Sequence, residues 1–266
     1  MADDAARYWS EALASWAIPD EILTAAPDSP WALPPAAFAR AAELALADVG
    51  GGRSRHRALE ALDDGGSVID VGVGGGAASL PLAPPARRLT GVDQSADMLA
   101  AFARAAEDRG VHHAEVLGRW PEVAGPVALA DVVVCHHVVY NVGELVPFAR
   151  ALTTHARRRV VVELTAEHPR ARTNWLWREL QGLERPSQPV ASDAVAVLEE
   201  MGLDVGVERH RHPAPLWREV PRQEVVAFLR RQLCVGPERD AEIDALLDDE
   251  PEVTRELVTI WWDSGG

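Results

Sequence analysis

Four glycines in five positions, Gly72, Gly74, Gly75 and Gly76, follow directly on the apolar run Val68–Val71. A strand that runs into such a stretch must turn at once, because glycine reaches backbone angles closed to other residues and lets the chain pass close to a ligand. The run Val68-Ile69-Asp70-Val71-Gly72-Val73-Gly74-Gly75-Gly76-Ala77 therefore reads as a buried strand, a tight turn and the start of a helix. The free N–H groups of that helix would face the same space as the turn. Residues 89–93, 114–117, 130–135 and 159–164 read as four further strands, with helices over 95–109 and 143–155 between them. In the first helix Ser95 is the expected N-cap, Met98, Leu99, Phe102 and Ala106 form the apolar stripe, and Asp97 suits the first turn. Val-rich runs without alternation mark strands buried on both faces. Strands alternating with helices mark a doubly wound, mostly parallel α/β sheet.

The flanks read differently. Residues 3–16 carry Ala6, Trp9, Leu13 and Trp16 at helical spacing, five prolines punctuate positions 19–35, and residues 35–49 and 54–62 read as helices. After Thr165, helices are expected over 174–183, 192–201, 222–233 and 237–248, and strands over 203–210 and 253–262. The expected organisation is a helical N-terminal cap over residues 1–64 and a binding domain over 65–266, with helical insertions after strands five and six.

Composition narrows the function classes. The net charge is -15, a field that repels a phosphate backbone, so no nucleic-acid partner is expected. All 26 basic residues are Arg, which excludes a lysine Schiff base or a lysine general base. Cys135 and Cys234 lie too far apart in sequence to make a disulfide framework or zinc ribbon. The acidic N-terminus MADDAARYWS is no signal peptide, and the longest apolar run, around 132–142, is broken by His136 and His137 and too short to span a bilayer. A cytoplasmic protein without a membrane partner is expected. No metal is expected either: His112 and His113 would diverge on a strand, and His210-x-His212 has no carboxylate nearby in sequence.

The glycines alone do not select a ligand, since Gly72, Gly74 and Ala77 also satisfy the dinucleotide fingerprint. Asp70 selects one. It lies inside the strand, where dinucleotide enzymes usually carry an apolar residue, and can face a cationic amino-acid group. Asp93 ends the second strand, where a carboxylate can accept both hydroxyls of a ribose. Asp-x-Gly-x-Gly-x-Gly with a strand-end acid resembles the class I S-adenosylmethionine-dependent methyltransferase family, of small-molecule type. Leu89-Thr90-Gly91-Val92-Asp93-Gln94-Ser95-Ala96-Asp97-Met98-Leu99 is similar to that family's second motif. Ala130–Tyr140 and Arg158–Glu163 are similar to its fourth and fifth strands. The resemblance covers residues 55–165 and extends to the remainder only by general architecture.

The resemblance implies a Rossmann-like fold, S-adenosylmethionine as cofactor and S-adenosylhomocysteine as product. It puts Asp70 and the backbone of Val71, Gly72 and Gly74 at the methionine end and Asp93 at the ribose. Gln94 and Met98 would border the adenine, Gly118, Arg119 and Trp120 would form its other wall, and His136 would lie beneath the sulfonium. Many members carry an acid where this chain has Arg119, so a backbone carbonyl or stacking on Trp120 would hold the adenine instead.

Methyl transfer is an in-line displacement that asks a protein mainly to align the nucleophile and exclude water. A base is needed only where the acceptor carries a proton at neutral pH. His137 is the candidate general base and Tyr140 the candidate for orienting the acceptor; the alternative is that the adjacent histidines pack or bond to backbone. His168 reads as a loop residue. Strand four lacks the Asn/Asp-Pro-Pro-aromatic sequence of enzymes acting on nucleic-acid amines. Trp9, Trp16, Trp31, Trp175 and Trp177 can form a lid for a flat aromatic or apolar small-molecule acceptor, or simply pack the cap onto the core. Trp261 and Trp262 read as structural. Two other functions compete: a non-catalytic S-adenosylmethionine-binding module, and a nicotinamide-dependent oxidoreductase, which would lack the Tyr-x-x-x-Lys pair. The sequence leaves the acceptor atom and the oligomeric state open.

Overall fold

Segments apolar on both faces can be buried only at the centre of a sheet, and that is where the Val-rich runs lie. In the computed structural model, which describes residues 4–30, 52–212, 221–248 and 255–265, seven strands form one sheet. They are β1 (Ser67–Val71), β2 (Arg88–Asp93), β3 (His112–Leu117), β4 (Ala130–His136), β5 (Ala156–Thr165), β6 (Gly206–His212) and β7 (Arg255–Asp263), in the order β3-β2-β1-β4-β5-β7-β6. The first five are parallel; β7 runs antiparallel between β5 and β6. Val132, Val133, Cys135, Val160 and Val161 are all fully buried in the central strands.

Helices cover both faces. The helices α1 (Asp4–Ala14), α5 (Leu145–His155) and α7 (Ala191–Glu200) enclose a core of Trp9, Phe148, Leu152, Val197 and Trp262 on one side. The helices α3 (Arg53–Leu59) and α4 (Ala96–Glu107) cover Leu80, Leu82, Leu89 and Phe102 on the other. α4 starts as expected: the Ser95 hydroxyl accepts from the Met98 amide at 3.4 Å, and Met98, Leu99, Phe102 and Ala106 are the buried stripe. A third, smaller core joins α6 (Asn174–Gln181), α8 (Arg222–Gln232) and α9 (Asp240–Asp248) to Ile18, with Ile22 and Leu23 of α2 (Asp20–Ala25) packed against it. That core draws on both sides of residue 64, because the helices inserted after β5 and β6 bury their apolar faces against the N-terminal segment. The helix expected over 35–49, and Trp31, lie outside the described residues.

One local expectation is corrected. No α-helix follows the glycine turn; turns and a single 3₁₀ turn, Leu80–Leu82, lead to β2. Gly72, Gly74 and Gly76 all have positive φ, and Pro81, Pro84 and Pro85 follow, so a helix here would bear both glycine's entropy cost and proline's missing donors. Among the described residues no helix is long and apolar enough to cross a membrane.

Candidate active site

The carboxyl ends of β1, β2, β4 and β5 lie in a row, and the expected site residues divide between two halves of it. The β1–β2 half is built around two carboxylates. Asp70 pairs in register with Gly91 of β2 and Val134 of β4, at the sheet's centre. It is 1% exposed; its Oδ2 accepts from the Ser79 hydroxyl at 2.6 Å, and its Oδ1 is buried without a partner among the described residues. Burial pushes its carboxyl up to about 7, aided by the nearby Asp93 charge and opposed by the bonds from Ser79. A buried acid with an unsatisfied oxygen suits an incoming cationic group.

Asp93 ties three loops together. Its Oδ2 accepts from Gly74 N at 3.0 Å, its Oδ1 from Ser95 N at 2.9 Å, and its carbonyl from Gly118 N at 2.9 Å. The turn's amides are thus spent on the second strand, since Gly72 N and Val73 N also donate to the Val92 carbonyl. Gly72 has φ +76°, and a Cβ there would lie 2.2 Å from Val138 Cγ2, so only glycine lets the turn lie against the loop after β4. Gln94 is exposed and Met98 is 9% exposed at the head of α4, beside Asp93 in sequence. Gly118 and exposed Arg119 leave the end of β3. Trp120 is buried rather than exposed. Its indole is 5% exposed within the apolar core, edge-on to the His155 ring at 4.9 Å, because burying so large a surface against α5 outweighs leaving it as a wall for a ligand.

The β4–β5 half is built around a residue the sequence reading passed over. Glu163 of β5 is 8% exposed and pairs in register with His136 of β4 and Thr259 of β7. Its Oε2 accepts from the Ser54 hydroxyl of α3 at 2.7 Å. Its Oε1 lies 3.9 Å from His136 Nδ1 and 3.8 Å from His137 Nε2. Burial works to raise its carboxyl, but the two histidines, Ser54 and His210 outweigh it and hold the group below the ordinary range. Burial lowers His136, against the pull of Glu163, and its Nε2 has no partner among the described residues. His137 has φ 58°, a left-handed conformation unusual for a side chain with a Cβ; its amide donates to the Glu163 carbonyl at 2.7 Å and its side chain is 43% exposed.

Tyr140, expected to orient an acceptor, has another task. Its hydroxyl donates to the Thr165 carbonyl at 2.9 Å, and its ring lies between Trp9, at 5.7 Å, and His168, at 5.0 Å. Burial pushes its pKa up, so it neither gives nor takes a proton readily. Trp16 stacks on His168 at 3.8 Å, and burial with Arg170 and Arg185 pushes His168 down to about 3, leaving it neutral. The indole N–H groups of Trp9 and Trp16 donate to the carbonyls of Val142 and Gln188, so the N-terminal segment is fastened across the loops that follow β4 and α6. Trp177 joins this aromatic group through Arg185, whose guanidinium lies 5.0 Å from its ring and 5.8 Å from that of Trp16. Trp262 packs in the core with its N–H on Thr153. No metal-binding group of His, Cys, Asp or Glu occurs among the described residues.

Residues 68–159 match a family model described as a methyltransferase domain. No curated protein matches the chain. Among solved structures, YcgJ of Bacillus subtilis aligns with TM-score 0.54 at 15% identity, over 80% of this chain and 98% of that one. Magnesium protoporphyrin IX methyltransferase (ChlM) of Synechocystis PCC 6803, crystallised with bound SAH, aligns with TM-score 0.50 at 16% identity, over 85% and 83%. The [4+2]-cyclase SpnF aligns with TM-score 0.52 at 15% identity, over 80% and 81%. At these identities the likeness is one of fold, and a fold can host unrelated chemistries.

Proposed function

We propose that this chain transfers a methyl group from S-adenosylmethionine to a small-molecule acceptor, a reading supported by the match of residues 68–159 to a methyltransferase-domain model. One observation carries the reading: the buried, unsatisfied Oδ1 of Asp70 behind the glycine turn, with Asp93 at the neighbouring strand end. Asp70 and the backbone of Val71, Gly72 and Gly74 take the methionine end, where the donor's ammonium would complete the ionisation of Asp70. Asp93 keeps lone pairs for the ribose hydroxyls while its amide bonds fix it in place. Gln94 and Met98 on one side and Gly118 and Arg119 on the other border the adenine, leaving Trp120 beneath the surface. When bound, S-adenosylmethionine supplies an activated methyl on a sulfonium. The chain has to hold it, align the acceptor and exclude water.

His136 lies on the sulfonium side of strand four, and His137 takes the acceptor's proton where there is one. The acceptor enters from the side of the Trp9–Tyr140–His168–Trp16 cluster, whose rings favour an aromatic or apolar molecule. The described part of the N-terminal segment, through Trp9 and Trp16, and the inserted helices cover that side. Net charge -15 and two buried free cysteines favour a cytoplasmic activity on small molecules rather than on nucleic acid.

Calorimetry tests the reading. S-adenosylmethionine and S-adenosylhomocysteine are expected to bind the wild type at micromolar concentrations. Failure of both to bind at millimolar concentration sinks it, and binding unchanged by Asp93→Ala removes the ribose assignment.

A further inference from the structure

Glu163 is costly where it is. A carboxylate taken out of water loses far more than one hydrogen bond returns, and the hydroxyl of Ser54 donates to it at 2.7 Å. Apolar Val161 and Leu164 of the same strand are fully buried and show what packing alone selects there. The groups that face the carboxylate come from four other elements and one loop: Ser54 of α3, His136 of β4, His137 just beyond it, His210 of β6 and Arg255 of β7. Burial favours the neutral form of His136. His137 is the most solvent-accessible of the three rings facing it. It is also the one held in a left-handed backbone conformation, a strain that folds retain mainly at functional sites. Glu163 fixes that residue twice, through its carbonyl at 2.7 Å from the His137 amide and its carboxylate at 3.8 Å from the ring.

We propose that Glu163 is a positioning residue that holds His137 as proton acceptor for methyl transfer, and that the acceptor is therefore a protic nucleophile, a phenol or alcohol hydroxyl. The inference rests on the donor reading above. In the step, a lone pair on the acceptor oxygen forms the bond to the methyl carbon while the carbon–sulfur bond breaks with its electron pair going to sulfur. The hydroxyl proton passes to the His137 imidazole, and the imidazolium is matched by the Glu163 carboxylate. An acceptor with no proton to lose would leave this pair without a task.

The test needs no acceptor. Imidazole carbon–proton NMR of the full chain follows the titration of His137 with S-adenosylmethionine bound and with S-adenosylhomocysteine bound, in wild type and Glu163→Gln; His137→Asn assigns the signal. The glutamine can still accept from Ser54, so it removes charge and little else. Glu163→Gln is expected to lower the His137 midpoint by about one pH unit. The cationic donor is expected to hold that midpoint about half a unit or more below its value with the neutral product, because a base that serves the reaction lies within reach of the sulfonium charge. A purely structural ion pair would respond to the glutamine and ignore the donor's charge. If both ligands bind and the midpoint is the same with each, or Glu163→Gln leaves it unmoved, the inference is overturned. If neither ligand binds the wild type, the donor reading fails and takes the inference with it. Should Glu163→Gln not fold, the wild-type comparison of the two ligands decides alone.

Discussion

The two halves of the strand-end row are held by different means. On the β1–β2 half the fixing bonds are short-range: Asp93 gathers amides from Gly74 and Ser95, and Asp70 is held by Ser79, nine positions on. On the β4–β5 half the bonds span the chain: Ser54 to Glu163, Trp9 to Val142, Trp16 to Gln188. If the halves act as proposed, binding of the donor and access of the acceptor should be separable properties. The same fold occurs in a cyclase and in a porphyrin methyltransferase, so the fold by itself does not fix the chemistry.

The contrast can be broken in several ways. The largest effect is expected from Trp9→Ala, which empties a fully buried position and should cost about 3–5 kcal/mol in chemical denaturation. The folded fraction should still bind S-adenosylhomocysteine within a few-fold of wild type by calorimetry; a parallel collapse of affinity would mean that the halves are one unit.

Asp70 comes next. Its folded-state carboxyl is raised to about 7 from the ordinary 3.8, so its contribution to stability is fully present below about pH 4 and lost as the pH rises towards 7. Asp70→Asn has no such term. Wild type should lose up to about 4 kcal/mol relative to the variant over that window, on denaturation curves at stepped pH, and saturating S-adenosylmethionine should shrink the loss. Glu163 carries the opposite sign: held below its ordinary range, it supports the fold above the unfolded carboxylate value and withdraws that support as the pH falls.

Asp93→Ala should weaken S-adenosylhomocysteine about 100-fold, the loss of two hydrogen bonds to a charged acceptor, with the melting temperature lowered only modestly. The smallest effect is the most diagnostic. His137→Gly removes a side chain yet relieves a left-handed backbone, so thermal melts should place it within about 1 kcal/mol of wild type, whereas an ordinary residue truncated there would destabilise.

These differences explain what could be read from the residues in order. The parallel sheet was legible because Val132–Cys135 and Val160–Val162 have no polar face to offer. Asp70 and Asp93 were legible because their roles follow from position relative to a glycine turn. The helix after the turn was over-read: a strand followed by glycines usually leads into one, but here Pro81, Pro84 and Pro85 decide otherwise. Trp120 and Tyr140 have side chains that suit either a ligand or a core, and only the packing of α5 and α1 around them chooses the core. Glu163 was hidden because it sits in the run Val160–Leu164, which reads as another apolar strand. Its partners stand at 54, 136, 137, 210 and 255, with no spacing in the chain that relates them.

The indoles of Trp9 and Trp16 have a consequence for timing. Each closes a hydrogen bond onto a carbonyl of a loop that borders the acceptor side, while their rings lie on Tyr140 and His168. Neither can let go without stranding a carbonyl and exposing an aromatic face, so the N-terminal segment should detach as a cooperative block rather than fray residue by residue. Release of such a block is an all-or-none event, on a different timescale from the side-chain motions around it.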